Sequence, residues 1–343
     1  MAIRMKDIAK DLGVSTITVS KALRDHPDIS DRTKERIRRR VSELNYQPNS
    51  TARALVTGKT STIGLVVPDL IHPFFGEVAK GLADSLRDKD YSTVIASSEE
   101  DQAKEIKAIE QLLARRVDAL VVASSQRDGR WIERVSARRV PLILMDRHFP
   151  SVRTNFVGVD DEKAGLLATE HLIAAGCRRI AHIRGPKVST AAGRARGYRK
   201  AMSRHGLDAR AEFMIMEQTG DESGDLSGYR AMQQLLNLDP RPDAVFCYND
   251  PCAMGAMEAI LEAGLRVPRD IAVIGCGNVR YARFLRVPLT SIDQKIGELG
   301  ARAGLLALSL IDAKSPPKPT TILLEPKVVP RMSTAWHAEG QQE

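Results

Sequence analysis

One short predicted helix near the N-terminus carries side chains that could bind the edges of nucleic-acid bases. Residues 5–23 have the pattern of two short helices separated at Gly13, and Ser15 can cap the second helix through its hydroxyl oxygen. On that helix Val19 and Leu23 share an apolar face. The other face presents hydroxyl, aliphatic and ammonium groups, which suit hydrogen bonding and packing in a major groove: Thr16, Ile17, Ser20 and Lys21.

This arrangement is typical of a helix-turn-helix, in which the first residues of the second helix contact base edges. We therefore expect Thr16, Ile17 and Lys21 to contact bases and Ser20 to contact the DNA backbone. The alternative is an ordinary helical hairpin, since short capped helices are common. Charge favours the DNA interpretation. Residues 1–59 contain 13 Lys and Arg against 7 Asp and Glu, so this short segment holds most of the net charge of +8 of the whole chain.

A third helix is predicted after Ser30, with Ile37, Val41 and Leu44 on its apolar face. It would close a small three-helix core. Its outer face carries a run of arginines that could contact DNA directly, but such a run more often forms a solvated face: Arg36, Arg38, Arg39 and Arg40.

The composition of the 343-residue chain indicates two or three domains with ample apolar residues for a core. No signal-peptide pattern and no apolar run of membrane-spanning length is present, which favours a cytoplasmic protein and gives no sign of membrane association. The four cysteines have neither disulfide nor metal-site spacing. No nucleotide-binding or catalytic motif is found, so the sequence predicts neither an enzyme nor a cofactor or metal site.

From Thr62 onward, short aliphatic runs alternate with amphipathic segments, a pattern that predicts parallel sheets covered by helices. The predicted strands are Ile63 to Val67, Thr93 to Ser97, Ala119 to Ala123, Leu142 to Met145, Ile180 to Arg184, Ala244 to Cys247 and Ala272 to Gly275. Predicted helices include Phe75 to Asp88, Asp161 to Ala175 and Pro251 to Ala263.

Ligands of open parallel sheets contact residues just beyond the carboxyl ends of the strands. In this chain the segments at those positions are unusually polar or aromatic. They are Asp69 to Phe75, Asp146 to Phe149, Ser189 to Arg196, Tyr248 to Asp250, Gly275 to Asn278 and Asp293 to Gln294.

Five motifs occur in order and together resemble the family of the lactose and galactose repressors, which are ligand-controlled bacterial transcription regulators. They are KDIAKDLGVS, TVSKAL, DISDRTKERI, ELNYQPN and ARAL. The resemblance covers nearly the whole chain. It implies a homodimer bound to a pseudo-palindromic double-stranded operator, and a periplasmic-binding-protein-like core of type I with two α/β lobes.

By this resemblance the chain divides into four parts. Residues 1–47 form the DNA-binding headpiece, 48–59 a hinge helix and linker, 60–336 the effector-binding and dimerisation core, and 337–343 a disordered tail. Within the core, lobe 1 is expected at about 60–160 plus 294–318, and lobe 2 at 161–293 plus 319–336.

The resemblance also assigns DNA contacts. Backbone contacts fall on Ser15, Ser30, Tyr46 and Asn49. In the hinge, Leu55 matches a leucine that wedges between the central base pairs and bends the DNA, although a plain linker is the alternative.

Effector residues of the family map onto the same strand-end segments found above. They are Phe74, Phe75, Asp146, Arg194, Asn249 and Gln294, with Asp69, Arg147 and Asp250 beside them. For Asp250 a role in capping a helix is an equal alternative. Phe75 could belong to the core rather than to a ligand platform.

One departure from the family concerns the effector. The usual GYDN motif reads GCGN here, so Gly277 replaces an effector-binding aspartate. The loss of a carboxylate beside Arg194, Arg147 and His148 favours an anionic effector such as a sugar acid. The sequence therefore predicts a transcription regulator that responds to a sugar or sugar acid, and we expect it to act as a repressor. The alternatives are a purine-type effector and a solute-binding protein of a transport system.

Overall fold

The computed structural model describes residues 3–46, 54, 58–216 and 224–335. The chain forms two compact units, Met1–Thr60 and Ser61–Glu343. The predicted positions Asn49 and Leu55, most of the hinge and the tail lie outside the described residues.

The N-terminal unit contains three helices, α1 (Met5–Leu12), α2 (Thr16–Leu23) and α3 (Asp31–Glu43). Gly13 ends α1 in the left-handed conformation, with φ of 65°, which glycine adopts without steric cost. Ser15 begins α2, because its hydroxyl oxygen accepts a hydrogen bond from the backbone N–H of Thr18 at 3.0 Å. The three helices enclose a small core of buried side chains: Ile8, Ala9, Val19, Ala22 and Ile37.

The second unit contains two sheets with helices packed on them. Its strands are β1 (Thr62–Val67), β2 (Ser92–Ser97), β3 (Ala119–Val122), β4 (Leu142–Met145), β5 (Asn155–Val159), β6 (Ile180–Ile183), β7 (Ala244–Cys247), β8 (Ala272–Gly277), β9 (Thr290–Asp293), β10 (Thr321–Leu324) and β11 (Lys327–Val329). Its helices are α4 (Pro73–Leu86), α5 (Gln102–Ala114), α6 (Arg130–Ser136), α7 (Asp161–Ala174), α8 (Ser189–Arg204), α9 (Gly224–Leu236), α10 (Asp250–Glu262) and α11 (Ile296–Asp312).

The first sheet has the order β10-β5-β4-β3-β1-β2 and is parallel throughout. The second has the order β11-β9-β8-β7-β6, and only the β11–β9 pair is antiparallel. The chain passes between the sheets after β5, after β9 and after β10. This architecture confirms the predicted fold class, an all-α headpiece followed by a two-lobed α/β core.

The last crossover lies later than the sequence predicts. We expected lobe 1 to end near residue 318, but Thr321–Leu324 pairs with Phe156–Val159 and therefore belongs to the first sheet. Lobe 1 consequently extends to Leu324, and the second sheet resumes at Lys327. The sequence does not reveal this strand, because its aliphatic run is short and most of its residues remain exposed or half-exposed at the sheet edge.

All seven predicted strands are present within a few residues of their predicted ends. Four further strands were not predicted: Asn155–Val159, Thr290–Asp293, Thr321–Leu324 and Lys327–Val329. They are three to five residues long, and each begins with a polar residue, so their sequence pattern is weak.

Helix α11 returns to the first lobe and packs closely on α4. A side-chain carbon added at Gly300 would lie 2.1 Å from the carbonyl oxygen of Val78, so only glycine allows this approach. The contact holds α4 in place, and the first turn of α4 carries Phe74 and Phe75.

Candidate functional site

A cavity of about 800 Å³ lies where the carboxyl ends of the strands of both sheets converge. Its walls come from the loops after β1, β2, β3 and β4 in the first lobe and after β6, β7 and β9 in the second. This is the position at which open parallel sheets bind ligands. Eight of the nine predicted effector residues line it: Asp69, Phe74, Phe75, Asp146, Arg147, Arg194, Asn249 and Gln294.

Asp250 is the exception, because it does not line the cavity, and its prediction as an effector residue is corrected here. Its side chain is fully buried away from the cavity lining. One carboxylate oxygen accepts from the hydroxyl of Ser291 at 2.5 Å, and the other accepts from the backbone N–H of Val279 at 2.8 Å. Asp250 therefore fixes the loop that follows β8 and does not line the cavity.

The backbone conformation at Gly277, which replaces the family's aspartate, favours glycine at this position. Gly277 has φ of 137°, which side chains other than glycine rarely adopt. A carbon added there would lie 3.3 Å from a carboxylate oxygen of Asp250. The cavity wall beside it is formed by Cys276 instead.

Two phenylalanines at the start of α4 form an aromatic wall. The rings of Phe74 and Phe75 meet edge to face with centroids 5.1 Å apart, and both belong to the buried core as well as to the cavity lining. Phe75 therefore belongs both to the hydrophobic core and to the cavity wall, so the two alternatives given for it are compatible. Such a wall suits the apolar face of a flat ligand.

His72 and Asn249, from the two lobes, lie close together at the cavity. His72 begins α4, and its Nδ1 accepts from the backbone N–H of Phe74 at 3.2 Å. Its Nε2 lies 3.0 Å from Nδ2 of Asn249, whose Oδ1 begins α10 by accepting from the N–H of Cys252 at 2.8 Å. Burial lowers the pKa of His72 to about 4, so the imidazole is neutral at neutral pH.

Arg194 lies on α8 at the floor of the cavity and is 3% exposed. Its Nε donates to Oδ1 of Asp161 at 3.0 Å, and its Nη1 donates to the carbonyl of Tyr248 at 2.6 Å. The guanidinium also stacks over the Tyr248 ring at 4.7 Å. Burial raises the pKa of Asp161 to about 7, although Arg194 opposes that rise.

Asp146 and Arg147 follow β4, where the backbone of Asp146 is left-handed with φ of 61°. The Asp146 carboxylate lies 3.9 Å from Nε of Arg147. Burial raises the pKa of Asp146. A non-glycine residue held in this conformation at a cavity wall is a feature that functional sites share.

Sequence reasoning missed Glu100, which follows β2 and lines the cavity. Both its carboxylate oxygens accept from Arg147, at 2.6 and 2.8 Å. Its position beyond the carboxyl end of a strand was the available signal. His148, by contrast, is not among the lining residues; its ring packs on Phe156 at 4.8 Å.

In the headpiece the predicted reading side chains lie on the outer face of α2. Thr16 is exposed, and Ile17 is 67% exposed although the other apolar residues of the three helices are buried or half-buried. Lys21 pairs with Asp28 at 2.7 Å. Arg24, which was not predicted, donates to the carbonyl and hydroxyl oxygens of Ser20 at 3.2 and 3.3 Å, beside the same face.

The predicted DNA-backbone residues have structural roles in the headpiece. Ser15 and Ser30 begin α2 and α3, and the ring of Tyr46 packs against the headpiece core. The arginine run of α3 bonds to headpiece acceptors: Arg36 to the carbonyl of Leu12, Arg38 to Asp25, and Arg39 and Arg40 to Glu43. Such pairing agrees with a solvated face.

Among the described residues, no three His, Cys, Asp or Glu side chains are placed to hold a metal ion. Within the same ranges no helix is long and apolar enough to cross a membrane.

A helix-turn-helix unit joined to a two-lobed core with a polar cavity defines the class of ligand-responsive transcription regulators. Comparison with known proteins agrees: residues 4–49 match the bacterial regulatory proteins of the lacI family, and residues 169–334 match a periplasmic binding protein-like domain. The chain belongs to the lacI family of bacterial transcription regulators.

Relatives and solved structures cover nearly the whole chain. The HTH-type transcriptional repressor PurR of Yersinia pestis bv. Antiqua (strain Antiqua) is 36% identical over 96% of each chain. The lac repressor dimer bound to operator and the anti-inducer ONPF matches with a TM-score of 0.85 and 28% identity, over 97% of this chain and 99% of that one. The transcriptional regulator CelR in complex with cellobiose matches with a TM-score of 0.72 and 28% identity, over 96% and 99%.

Proposed function

We propose that this protein is a homodimeric repressor that binds a pseudo-palindromic operator and is controlled by a small polar effector in the cavity. The observation that carries the DNA half is Ile17. A large apolar side chain left exposed in the first turn of a capped, core-packed helix is suited to contact thymine methyl groups in a major groove.

Ile17→Ala is expected to relax sequence preference at one operator position by about 1 to 3 kcal/mol, if this side chain contacts a base. The headpiece should remain folded, because Ile17 is 67% exposed. A selection from randomised DNA with the wild type and the variant measures the preference directly. An unchanged preference would remove Ile17 from the reading face.

The hinge belongs to the same proposal, although it lies outside the described residues. Asn49 would anchor the DNA backbone and Leu55 would wedge into the operator centre. A helix of under a dozen residues cannot repay nucleation alone, so the hinge would fold on DNA. Ser15, Ser20, Ser30 and Tyr46 would provide further backbone contacts that position the headpiece.

Contacts between the lobes offer a route from effector to DNA. The backbone N–H of His148 donates to Ser189 Oγ at 3.0 Å, and that of Arg280 donates to Oε1 of Glu77 at 3.1 Å. A ligand that binds more tightly to one lobe arrangement would shift the spacing of the two hinges in the dimer. Effector and operator would then be linked reciprocally, by about 1 to 3 kcal/mol.

Exposed apolar residues support the dimer. Leu70 and Ile71 precede α4, and Tyr281 and Phe284 follow β8; all four are more than half exposed. The Arg280 to Glu77 hydrogen bond joins the segment after β8 to α4, the helix that follows Leu70 and Ile71. A surface of this kind suits burial against a second copy.

Phe284→Arg is expected to shift the protein from dimer to monomer, because a cation would be desolvated at the interface. Sedimentation velocity measures the shift. Leu323→Arg is the matched control: Leu323 is 54% exposed, on β10 at the sheet edge opposite β2. A Phe284→Arg protein that remains dimeric would place the interface elsewhere.

For the effector, a sugar is the first candidate class. Hydrogen-bonding groups beside an aromatic wall suit a polyhydroxyl ligand, and the similar CelR structure is a cellobiose complex. A purine base is the second, because Phe74 and Phe75 could contact a flat ring. The remaining choice concerns the charge of the effector.

A further inference from the structure

The guanidinium of Arg147 is already engaged by a carboxylate of the chain. Its Nη1 and Nη2 donate to the two oxygens of Glu100 at 2.8 and 2.6 Å, and Nη1 also lies 3.3 Å from the carbonyl of Ser124. The remaining nitrogen, Nε, is buried and has no hydrogen-bond partner within the part of the chain that the structure describes. A bidentate pair of this kind leaves a ligand anion little of the guanidinium to bind.

The loop that carries Glu100 is built to hold it there. Glu99 and Glu100 both have left-handed backbones, with φ of 50° and 55°. The backbone N–H of Glu100 donates to the carbonyl of Pro68 at 3.1 Å, and Asp101 then begins α5 by accepting from the N–H of Lys104 at 2.8 Å. Two consecutive non-glycine residues in this conformation persist only where their surroundings impose it.

A second arginine of the lining, Arg194, also has partners within the chain. Its Nε donates to Asp161 at 3.0 Å, and its Nη1 donates to the carbonyl of Tyr248 at 2.6 Å. Two further cationic side chains, Arg127 and Lys187, line the cavity, so this pairing concerns the two buried arginines and not every positive charge of the lining. An anion clamp made of Arg194 and Arg147 would have to compete with these partners.

The unpartnered amide of Gln294 adds to this picture. The side chain lines the cavity at 2% exposure, and its Nε2 is buried without a partner among the described residues. An uncharged amide that needs a hydrogen-bond partner suits a hydroxyl or carbonyl group of a neutral ligand.

We propose that Glu100 is a specificity-determining residue: by occupying Arg147 it competes with anionic effectors for that arginine and favours uncharged ones. This inference rests on the proposed function, since it takes the cavity as the effector site. It argues against the sequence-based expectation of a sugar acid and favours neutral sugars or bases as the ligand class.

Glu100→Gln and Glu100→Ala are the variants that test it. Glu99→Gln is a matched control, because it removes the same charge from the neighbouring residue of the same loop, and Glu99 pairs with Lys104 rather than with Arg147. Inorganic phosphate and sodium glucuronate are the anionic probes, and glucose is the neutral probe. Melting temperature is followed against each probe at constant ionic strength and without DNA.

Both Glu100 variants are expected to gain a saturable stabilisation by phosphate or glucuronate, with affinity at least about tenfold above that of wild type and Glu99→Gln. The response to glucose should not rise in parallel. Equal anion responses in the Glu100 and Glu99 variants, or an equally strong response of the wild type, would overturn the proposal.

A parallel titration of the wild type with selected operator DNA separates the two proposals. Absence of specific DNA binding would contradict the proposed function. The anion-induced shifts in melting temperature would still test the role of Glu100. Specific DNA binding together with identical anion responses would defeat the role of Glu100 alone.

Discussion

Ile37→Ala should abolish specific DNA binding while the second unit keeps its fold. Ile37 is 1% exposed and is one of five buried apolar side chains that form the headpiece core among the described residues. Truncating a buried isoleucine to alanine costs about 2 to 5 kcal/mol. A unit of this size has little more stability than that, because small domains bury too little apolar surface.

Two readouts check this expectation. Fluorescence anisotropy with operator DNA should show specific affinity reduced by at least about a hundredfold, the equivalent of about 2.7 kcal/mol. Amide hydrogen exchange should show loss of protection in α1 to α3 and unchanged protection in the β-sheets.

Ile17→Ala is the matched control for Ile37→Ala, since the same atoms are removed from a side chain that is 67% exposed. It should alter sequence preference without loss of exchange protection. If Ile37→Ala retained both protection and specific binding, the headpiece would have stability from outside its own small core.

Arg194→Met is expected to destabilise the second unit by about 3 to 5 kcal/mol at a pH well above 7, where the ionised carboxylate of Asp161 would be buried without its cation. Loss of the bond to the Tyr248 carbonyl adds to this effect. Chemical denaturation measures the change. Arg194→Lys keeps the charge and should cost less.

Arg196→Met is the control two residues along the same helix. Its side chain is 61% exposed and pairs with Glu162 at 3.3 Å at the surface, so little stability should be lost. Equal losses in the two methionine variants would contradict the importance of the buried pair.

The deficit of Arg194→Met should also depend on pH. Burial raises the pKa of Asp161 to about 7 in the folded protein, above its value in the unfolded chain. The contribution of Asp161 to the free energy of unfolding is therefore fully present below the unfolded pKa and is lost as the pH rises toward 7. In the wild type that decline ends near pH 7, when Asp161 ionises beside Arg194. In the variant it continues, so the deficit should widen above pH 7 by up to about 1.4 kcal/mol per pH unit.

The headpiece could be predicted almost completely from sequence because its structure depends on neighbours along the chain. Gly13 ends α1 and Ser15 begins α2 through contacts within three or four residues. The spacing of Val19 and Leu23 then orients α2 and leaves Ile17 outside. Local hydrogen bonds and helical period need no knowledge of distant residues.

The cavity was located correctly for a related reason. Parallel strands place their carboxyl ends at one edge, so polar residues that follow strands must gather there. The resemblance to a known family assigned individual residues, and eight of nine lie in the lining. The prediction for Asp250 was wrong because its neighbour Asn249 lines the cavity, whereas the carboxylate of Asp250 bonds to Ser291 and Val279.

The sequence by itself therefore determined the class of fold, the helix with an exposed polar face near its start and the sheet edge at which the cavity lies, since these follow from periodicity and strand direction. Tertiary structure decided the last crossover at β10, the burial of Asp250 and the pairing of Arg147 with Glu100. Those features join residues far apart in the chain. Which carboxylate neutralises which arginine depends on how loops from different strands meet, and no local pattern encodes that distance.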